Sequence, residues 1–275
     1  MRIDAHQHFW KYNSSDYSWI SDQMNVLKRD FLPGDLLAEI EKIEFEGSIA
    51  VQARQSIEET RWLLDIAGKN DFIKGVIGWI DLCSAESENQ IREFVSNRKF
   101  AGVRHVLQDE PDDRFMLTGS FLRGISILAK YNLVYEILIL PKQLPFAEEM
   151  VRSFPEQKFV LDHIAKPFIK DRIISPWKED IQNLARHNNV SCKISGMVTE
   201  AKWKGWKKED FKPYLDVVFE AFGPSRLLIG SDWPVCTVSS SYIKTMKIVL
   251  DYIQSFSREE RDMILGKNAI RIYTL

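Results

Sequence analysis

Three residues near the start of the chain, Asp4, His6 and His8, stand two apart. On a β-strand that spacing turns all three side chains to one face. Two imidazoles at a strand end can grip one divalent ion from adjacent corners. A carboxylate one layer deeper can accept a hydrogen bond from a ligand histidine and fix its tautomer. Far along the chain, Asp232 follows the run Leu227-Leu228-Ile229-Gly230-Ser231. A carboxylate there could ligate a metal, take a proton from water, or do both. A turn aspartate before Trp233-Pro234 is the structural alternative. His163 ends Phe159-Val160-Leu161-Asp162. It is a candidate third ligand, or a group that polarises a substrate carbonyl, set against a buried structural histidine.

A second set is mostly cationic. Gln52 and Arg54 share one face after Val51, Arg104 and His105 close another apolar run, and Lys193 lies inside a third. Such groups could bind substrate hydroxyls or a carboxylate, or stabilise an oxyanion. A lysine within an apolar strand is rarely buried without a partner. Rim salt bridges with Asp81, Glu110 or Glu136 are the alternative for the arginines. Trp79 and Trp233 are candidate walls of a pocket.

These residues need a frame that brings them together. Eight short apolar runs read as strands: 2–6, 48–53, 74–80, 101–105, 133–138, 158–163, 190–194 and 226–230. Helical patterns lie between them, at 35–44, 60–67, 120–131, 144–153, 178–187, 210–222 and 242–254, with another ending near Asn97 and a last one from Ser257 to about Gly266. Ser56 with Glu59, Ser87 with Gln90, and Ser257 with Glu260 have capping-box spacing. Eight strand–helix alternations predict an α/β fold, a (β/α)8 barrel formed as a single domain over 1–275. A doubly wound sheet would want a Gly-rich first turn, and His8-Phe9-Trp10 stands there instead. In a barrel the strand ends form the active face. Two long connections, 9–34 and 195–209, carry many aromatics that could wall a pocket or merely pack the rim.

At 275 residues, 45% hydrophobic and 28% charged with a net charge of −2, the chain has the balance of a soluble globular protein. The even spread of Lys and Arg argues against nucleic acid or an anionic membrane as partner. Cys83, Cys192 and Cys236 are too few and too scattered for a disulfide scaffold, and a reducing, cytoplasmic setting is expected. There is no signal-peptide pattern and no apolar run of the roughly 20 residues that span a bilayer. A G-x-S-x-G elbow, a P-loop and an H-E-x-x-H pair are all missing.

Several segments together resemble the amidohydrolase superfamily, in the amidohydrolase-2 branch that includes sugar lactonases acting on L-fucono- and L-rhamnono-lactones, and dicarboxylate lactonases. They are Asp4-Ala5-His6-Gln7-His8-Phe9-Trp10, Val51-Gln52-Ala53, Gly102-Val103-Arg104-His105, Leu161-Asp162-His163-Ile164-Ala165-Lys166-Pro167, Lys193-Ile194-Ser195-Gly196, Gly230-Ser231-Asp232-Trp233-Pro234-Val235 and Asn268-Ala269. They occur in family order from end to end. The resemblance implies a barrel with His6, His8, His163 and Asp232 at its mouth, and metal ligation by His6, His8 and Asp232. The fifth strand offers no histidine and the fourth no bridging lysine, so the two-metal form is not expected. One divalent ion, zinc or manganese, is allowed and could be dispensable. The expected activity is hydrolysis of a small-molecule sugar-acid lactone, with Asp232 and His163 catalytic and Gln52, Arg54, Trp79, Arg104, His105, Lys193 and Trp233 around the substrate. A decarboxylase of an aromatic or unsaturated acid, a silent binding barrel and a metal-dependent nuclease are the other readings. Homo-oligomer formation is left open.

Overall fold

The computed structural model describes all of residues 1–275. Eight parallel strands form one sheet in sequence order: β1 (Ile3–Gln7), β2 (Gly47–Val51), β3 (Ile73–Gly78), β4 (Phe100–His105), β5 (Val134–Ile137), β6 (Phe159–Leu161), β7 (Val190–Ile194) and β8 (Leu227–Ile229). The ring closes just beyond β8. Asp232 N–H donates to the His6 carbonyl at 2.8 Å, and His8 N–H donates to the Trp233 carbonyl at 2.7 Å. The expected (β/α)8 barrel is therefore what the chain forms.

Helices cover the outside: α1 (Pro33–Ile40), α2 (Ile57–Lys69), α3 (Ser87–Phe94), α4 (Gly119–Leu128), α5 (Leu144–Ser153), α6 (Trp177–Ala185), the short α7 (Met197–Glu200), α8 (Lys208–Phe222) and α9 (Tyr242–Tyr252). The chain ends in α10 (Arg258–Asp262), a π-helical turn, and α11 (Asn268–Tyr273). The anticipated last helix from 257 to 266 is thus interrupted and then continued. No helix is long and apolar enough to cross a membrane.

Two apolar cores follow from strand alternation. Every second strand residue turns outward to the helices, building the larger core. The others turn inward: Ile3, Ala5, Ile49, Val51, Val134 and Val160 are among them, closed below by Ala269, Ile272 and Tyr273 of α11. Branched side chains of this kind fill a barrel solidly, so the interior is a core and not a channel.

The three capping boxes come out differently. Ser257 is complete: its Oγ accepts from Glu260 N–H at 3.3 Å, and its own N–H donates to Glu260 at 2.9 Å. Ser56 is half complete. Its Oγ accepts from Glu59 N–H, but the Glu59 carboxylate accepts instead from the Ala53 and Arg54 N–H groups, at 3.0 and 2.9 Å. At Ser87 no box forms, because α3 begins on that residue and Gln90 accepts from Asp81 N–H.

Candidate active site

Pairing of β1 with β2 slips by one residue between Asp4 and Gln7. This bulge alters the expected geometry. Ile3 and Ala5 belong to the inner core. Asp4 faces outward and accepts from Ser231 N–H at 2.9 Å and Ser231 Oγ at 2.6 Å. The extra residue then returns His6 to the interior, where its ring meets Arg104, Asp162 and Lys193. Bulges beside active sites commonly re-aim side chains in this way. Asp4 therefore does not share a face with the histidines and fixes no imidazole. It ties the first strand to the end of the last, and burial pushes its carboxyl up to about 6 despite the Ser231 bonds.

The tautomer of His8 is set elsewhere. Its Nδ1 lies 2.8 Å from the Val51 carbonyl, which can only accept, so Nδ1 carries the proton and Nε2 is bare. That Nε2 stands 3.2 Å from His6 Nε2 and 3.4 Å from Asp232 Oδ1. Asp232 Oδ1 lies 3.9 Å from both His6 Nε2 and His163 Nε2. Burial would raise the Asp232 carboxyl, but His163, His8 and Lys166 outweigh it and hold the group below its ordinary value. Burial pushes the His163 and His6 imidazoles well down, with Asp232 and Asp162 respectively opposing it. At neutral pH the site thus holds a carboxylate near the neutral His6 and His163 imidazoles.

His163 arrives by an unusual path. After Asp162 the chain makes a left-handed turn in which His163, Ile164, Ala165 and Lys166 all have φ between 49° and 57°. Each such residue costs roughly 1–2 kcal/mol. The turn is supported by Trp177 Nε1, which donates to the Ile164 carbonyl at 2.8 Å, and by Lys166 N–H to the His163 carbonyl at 2.8 Å. Residues three apart on such a turn share a side, so His163 and Lys166 both line the cavity. His163 Nδ1 lies 2.9 Å from Ser195 Oγ. Its ring fills the space a Cβ would need at Gly196, where φ is +64°.

A cavity of about 640 Å³ opens above these groups. His8, His163 and Asp232 form its floor, Arg54, Arg104, Lys166 and Glu200 give it charge, and Trp19, Met24 and Trp203 wall it. The two long connections therefore divide. Trp19 and Trp203 reach the cavity, while Phe9, Trp10 and Phe31 pack into the rim.

Several expected substrate contacts lie elsewhere. Lys193 is fully buried below the floor, 2.6 Å from Glu136 and 3.3 Å from Asp162. Its strand is sealed by apolar neighbours, so two carboxylates satisfy it instead of a ligand. Trp233 packs edge-on to Phe9 and Phe31 and lines no part of the cavity. His105 turns outward to Glu110 at 2.6 Å and stacks on Phe115. Trp79 also lies outside the cavity lining, its carbonyl accepting from Thr60 Oγ1. Gln52 and Arg104 bond to each other's backbone carbonyls, and Arg104, which does line the cavity, pairs with Asp162 at 3.0 Å. Arg54 does line the cavity, paired with Asp16 at 2.5 Å. Sequence reasoning passed over Lys166 and Glu200. Their signal, a lysine three after His163 and a glutamate four after Gly196, has meaning only once both turns are known.

The donor set fits a divalent ion. Nitrogens bound to one tetrahedral zinc stand about 3.3 Å apart, close to the separation of the His6 and His8 Nε2 atoms. A proton on His6 Nδ1, aimed at Asp162, turns the two Nε2 lone pairs toward each other, with only a 3.3 Å contact from Arg104 to ease His6, and a cation between them would remove that repulsion. His6, His8 and Asp232 form one such group, and His6, Asp162 and His163 another. Asp162 is already engaged by Arg104 and Lys193, so the donors suit one ion and not two.

Comparison with known proteins gives a consistent result. A family model described as amidohydrolase matches residues 3–275. An L-fucono-1,5-lactonase of Burkholderia multivorans is 38% identical, covering 100% of this chain and 96% of that protein. The same-named protein of Burkholderia ambifaria is 36% identical over 88% of this chain and 83% of its own length. The crystal structure of a B. multivorans amidohydrolase with bound zinc is 38% identical and superposes with a TM-score of 0.97, covering 100% of this chain and 99% of that one.

Proposed function

Because the chain belongs to the amidohydrolase family, we propose that it is a lactonase that hydrolyses a sugar-acid lactone to the free aldonic acid. The names of its Burkholderia relatives support a lactone of the L-fucono type. One observation carries the reading: a buried carboxylate, Asp232, kept below its ordinary value, stands beside the His8 and His163 rings on the floor of a ligand-sized cavity.

In this mechanism Asp232 takes a proton from water as the water oxygen attacks the lactone carbonyl. His163 stands beside it, oriented through Ser195, and its neutral ring can donate from Nε2 to the developing oxyanion. The ring C–O bond then breaks, and the protonated Asp232 returns its proton to the alkoxide. That leaving group stays tethered, so one acid–base group serves both steps. His6, His8 and Asp232 would hold a divalent ion, zinc or manganese, which when bound supplies Lewis acidity toward the carbonyl. Arg54 faces the cavity to meet substrate hydroxyls, while Arg104 and Lys193 brace His6 from behind and Gln52 holds Arg104 in place. The decarboxylase reading wants a free Arg104 for the carboxylate, and Asp162 already neutralises it.

The test is a pH-indicator screen of sugar lactones with the wild type and Asp232→Asn. The expected loss is about 10³-fold in turnover, with the melting temperature unchanged. A variant that retains its rate sinks the assignment. Running both with a chelator, then with added zinc or manganese, decides whether the ion takes part.

A further inference from the structure

Lys166 and Glu200 enter the same cavity from two different connections. Lys166 ends the left-handed turn after β6, locked there by its own N–H bond to His163 and by the proline that follows. Glu200 ends α7, which starts at the Gly196 turn. Lys166 draws down the Glu200 carboxyl that burial raises. Yet neither takes part in any ion pair within 4 Å, in a protein where Arg54, Arg104 and Lys193 are all paired. Glu200 has only a 3.3 Å contact from Thr199 Oγ1. Thr199 is itself fixed, because its Oγ1 donates to the Gly196 carbonyl at 2.6 Å and its carbonyl accepts from Trp203 Nε1 at 2.9 Å.

An ammonium and a carboxylate that face one cavity would close on one another if their backbones allowed it. Here both backbones are pinned, and the gap remains. A polyol fills such a gap well, since each hydroxyl both donates and accepts. One hydroxyl can give its proton to Glu200 while it or a neighbour accepts from Lys166. The indole of Trp203 lies alongside, suited to the C–H face of a sugar ring.

We infer that Lys166 and Glu200 form the subsite that recognises the hydroxylated edge of the substrate, so that hydroxyl-bearing rings are selected over bare ones. This rests on the lactonase reading for its choice of ligand, but it concerns binding, and binding can be measured apart from turnover. The chemistry at Asp232 needs no ring hydroxyl.

The experiment uses two probes. The first is a trihydroxylated six-membered lactam, which the site cannot open, titrated by calorimetry. The second is the unsubstituted six-membered lactone, followed by acid release. Glu200→Gln and Lys166→Met should each weaken lactam binding about 10- to 100-fold, the scale of one lost charged hydrogen bond. Turnover of the unsubstituted lactone should change less than about twofold in Glu200→Gln; Lys166→Met is read by lactam binding alone, since Lys166 also helps to hold down the Asp232 carboxyl. Unaltered lactam binding in both variants overturns the subsite, as does an equal loss on both probes in Glu200→Gln. A wild type that binds the lactam through these residues but opens no lactone would leave the subsite standing and remove the lactonase reading.

Discussion

Two layers of buried polar side chains lie one above the other in this barrel, and they use similar residue types for opposite ends. The upper layer is His6, His8, His163 and Asp232. The lower is Lys193, Glu136 and Asp162, with Tyr273 donating from α11 to Glu136 at 2.6 Å. Below, cations and carboxylates meet each other at 2.6–3.3 Å and nothing faces solvent. Above, the carboxylate stands 3.4–3.9 Å from imidazole nitrogens and faces a cavity. The lesson is that charge inside a barrel does not mark the reacting centre. What marks it is a group whose partners leave it something still to bind.

The sharpest way to break this contrast is Lys193→Met. If the lower layer is structural, the variant strands Glu136 and Asp162 in the core and should lose about 3–5 kcal/mol of stability in a denaturant titration. The loss should be smaller at neutral and acid pH than in alkali. Burial and Asp162 push Glu136 up to about 7 with Lys193 opposing, so without Lys193 the carboxyl rises further and takes a proton instead of a cation. A variant of native stability that has lost turnover would move the chemistry down a layer.

Glu59 refines the contrast from the side. It is a buried carboxylate held by neutral donors from Ala53, Arg54 and Tyr17, with no cation in contact. Burial raises it from 4.5 to about 7 against those bonds. The folded protein therefore binds a proton here that the unfolded chain has released, and its stability should fall as pH rises from about 4.5 to about 7. The expected span is roughly 3 kcal/mol at most. Melting temperatures of Glu59→Gln across that range should be flatter than those of the wild type, and parallel curves would contradict the account.

Gly196→Ala tests the upper layer by geometry alone. An added Cβ would sit 2.5 Å from His163 Nδ1, on a backbone at φ +64°. The backbone strain should cost about 1–2 kcal/mol, and the displaced imidazole should lower turnover by about 10- to 100-fold. Intact turnover would mean that the position of His163 is not critical.

The strand order was readable because apolar runs alternate with amphipathic ones, and each of the eight expected strands overlaps an observed one. The ends were less readable. Expected strand 158–163 stops at Leu161 because Asp162 leads into left-handed backbone, which no propensity announces for His163-Ile164-Ala165-Lys166. Period-two reasoning brought His6 and His8 inward but misplaced Asp4, since a bulge has no signature in the side chains that flank it. Lys193 was rightly singled out as needing a partner. Which partner depended on how deep in the barrel it lay, and depth comes from register and not from sequence.

The bonds from Ser231 to Asp4 join residues 227 apart in sequence. A sheet that meets itself has no outermost strand, and so no row of unpaired amides on which a second chain could add its own. Without that seam, β1 and β8 would both become such rows. The contact that sets His6 beside Asp232 is therefore also what keeps the molecules from pairing edge to edge.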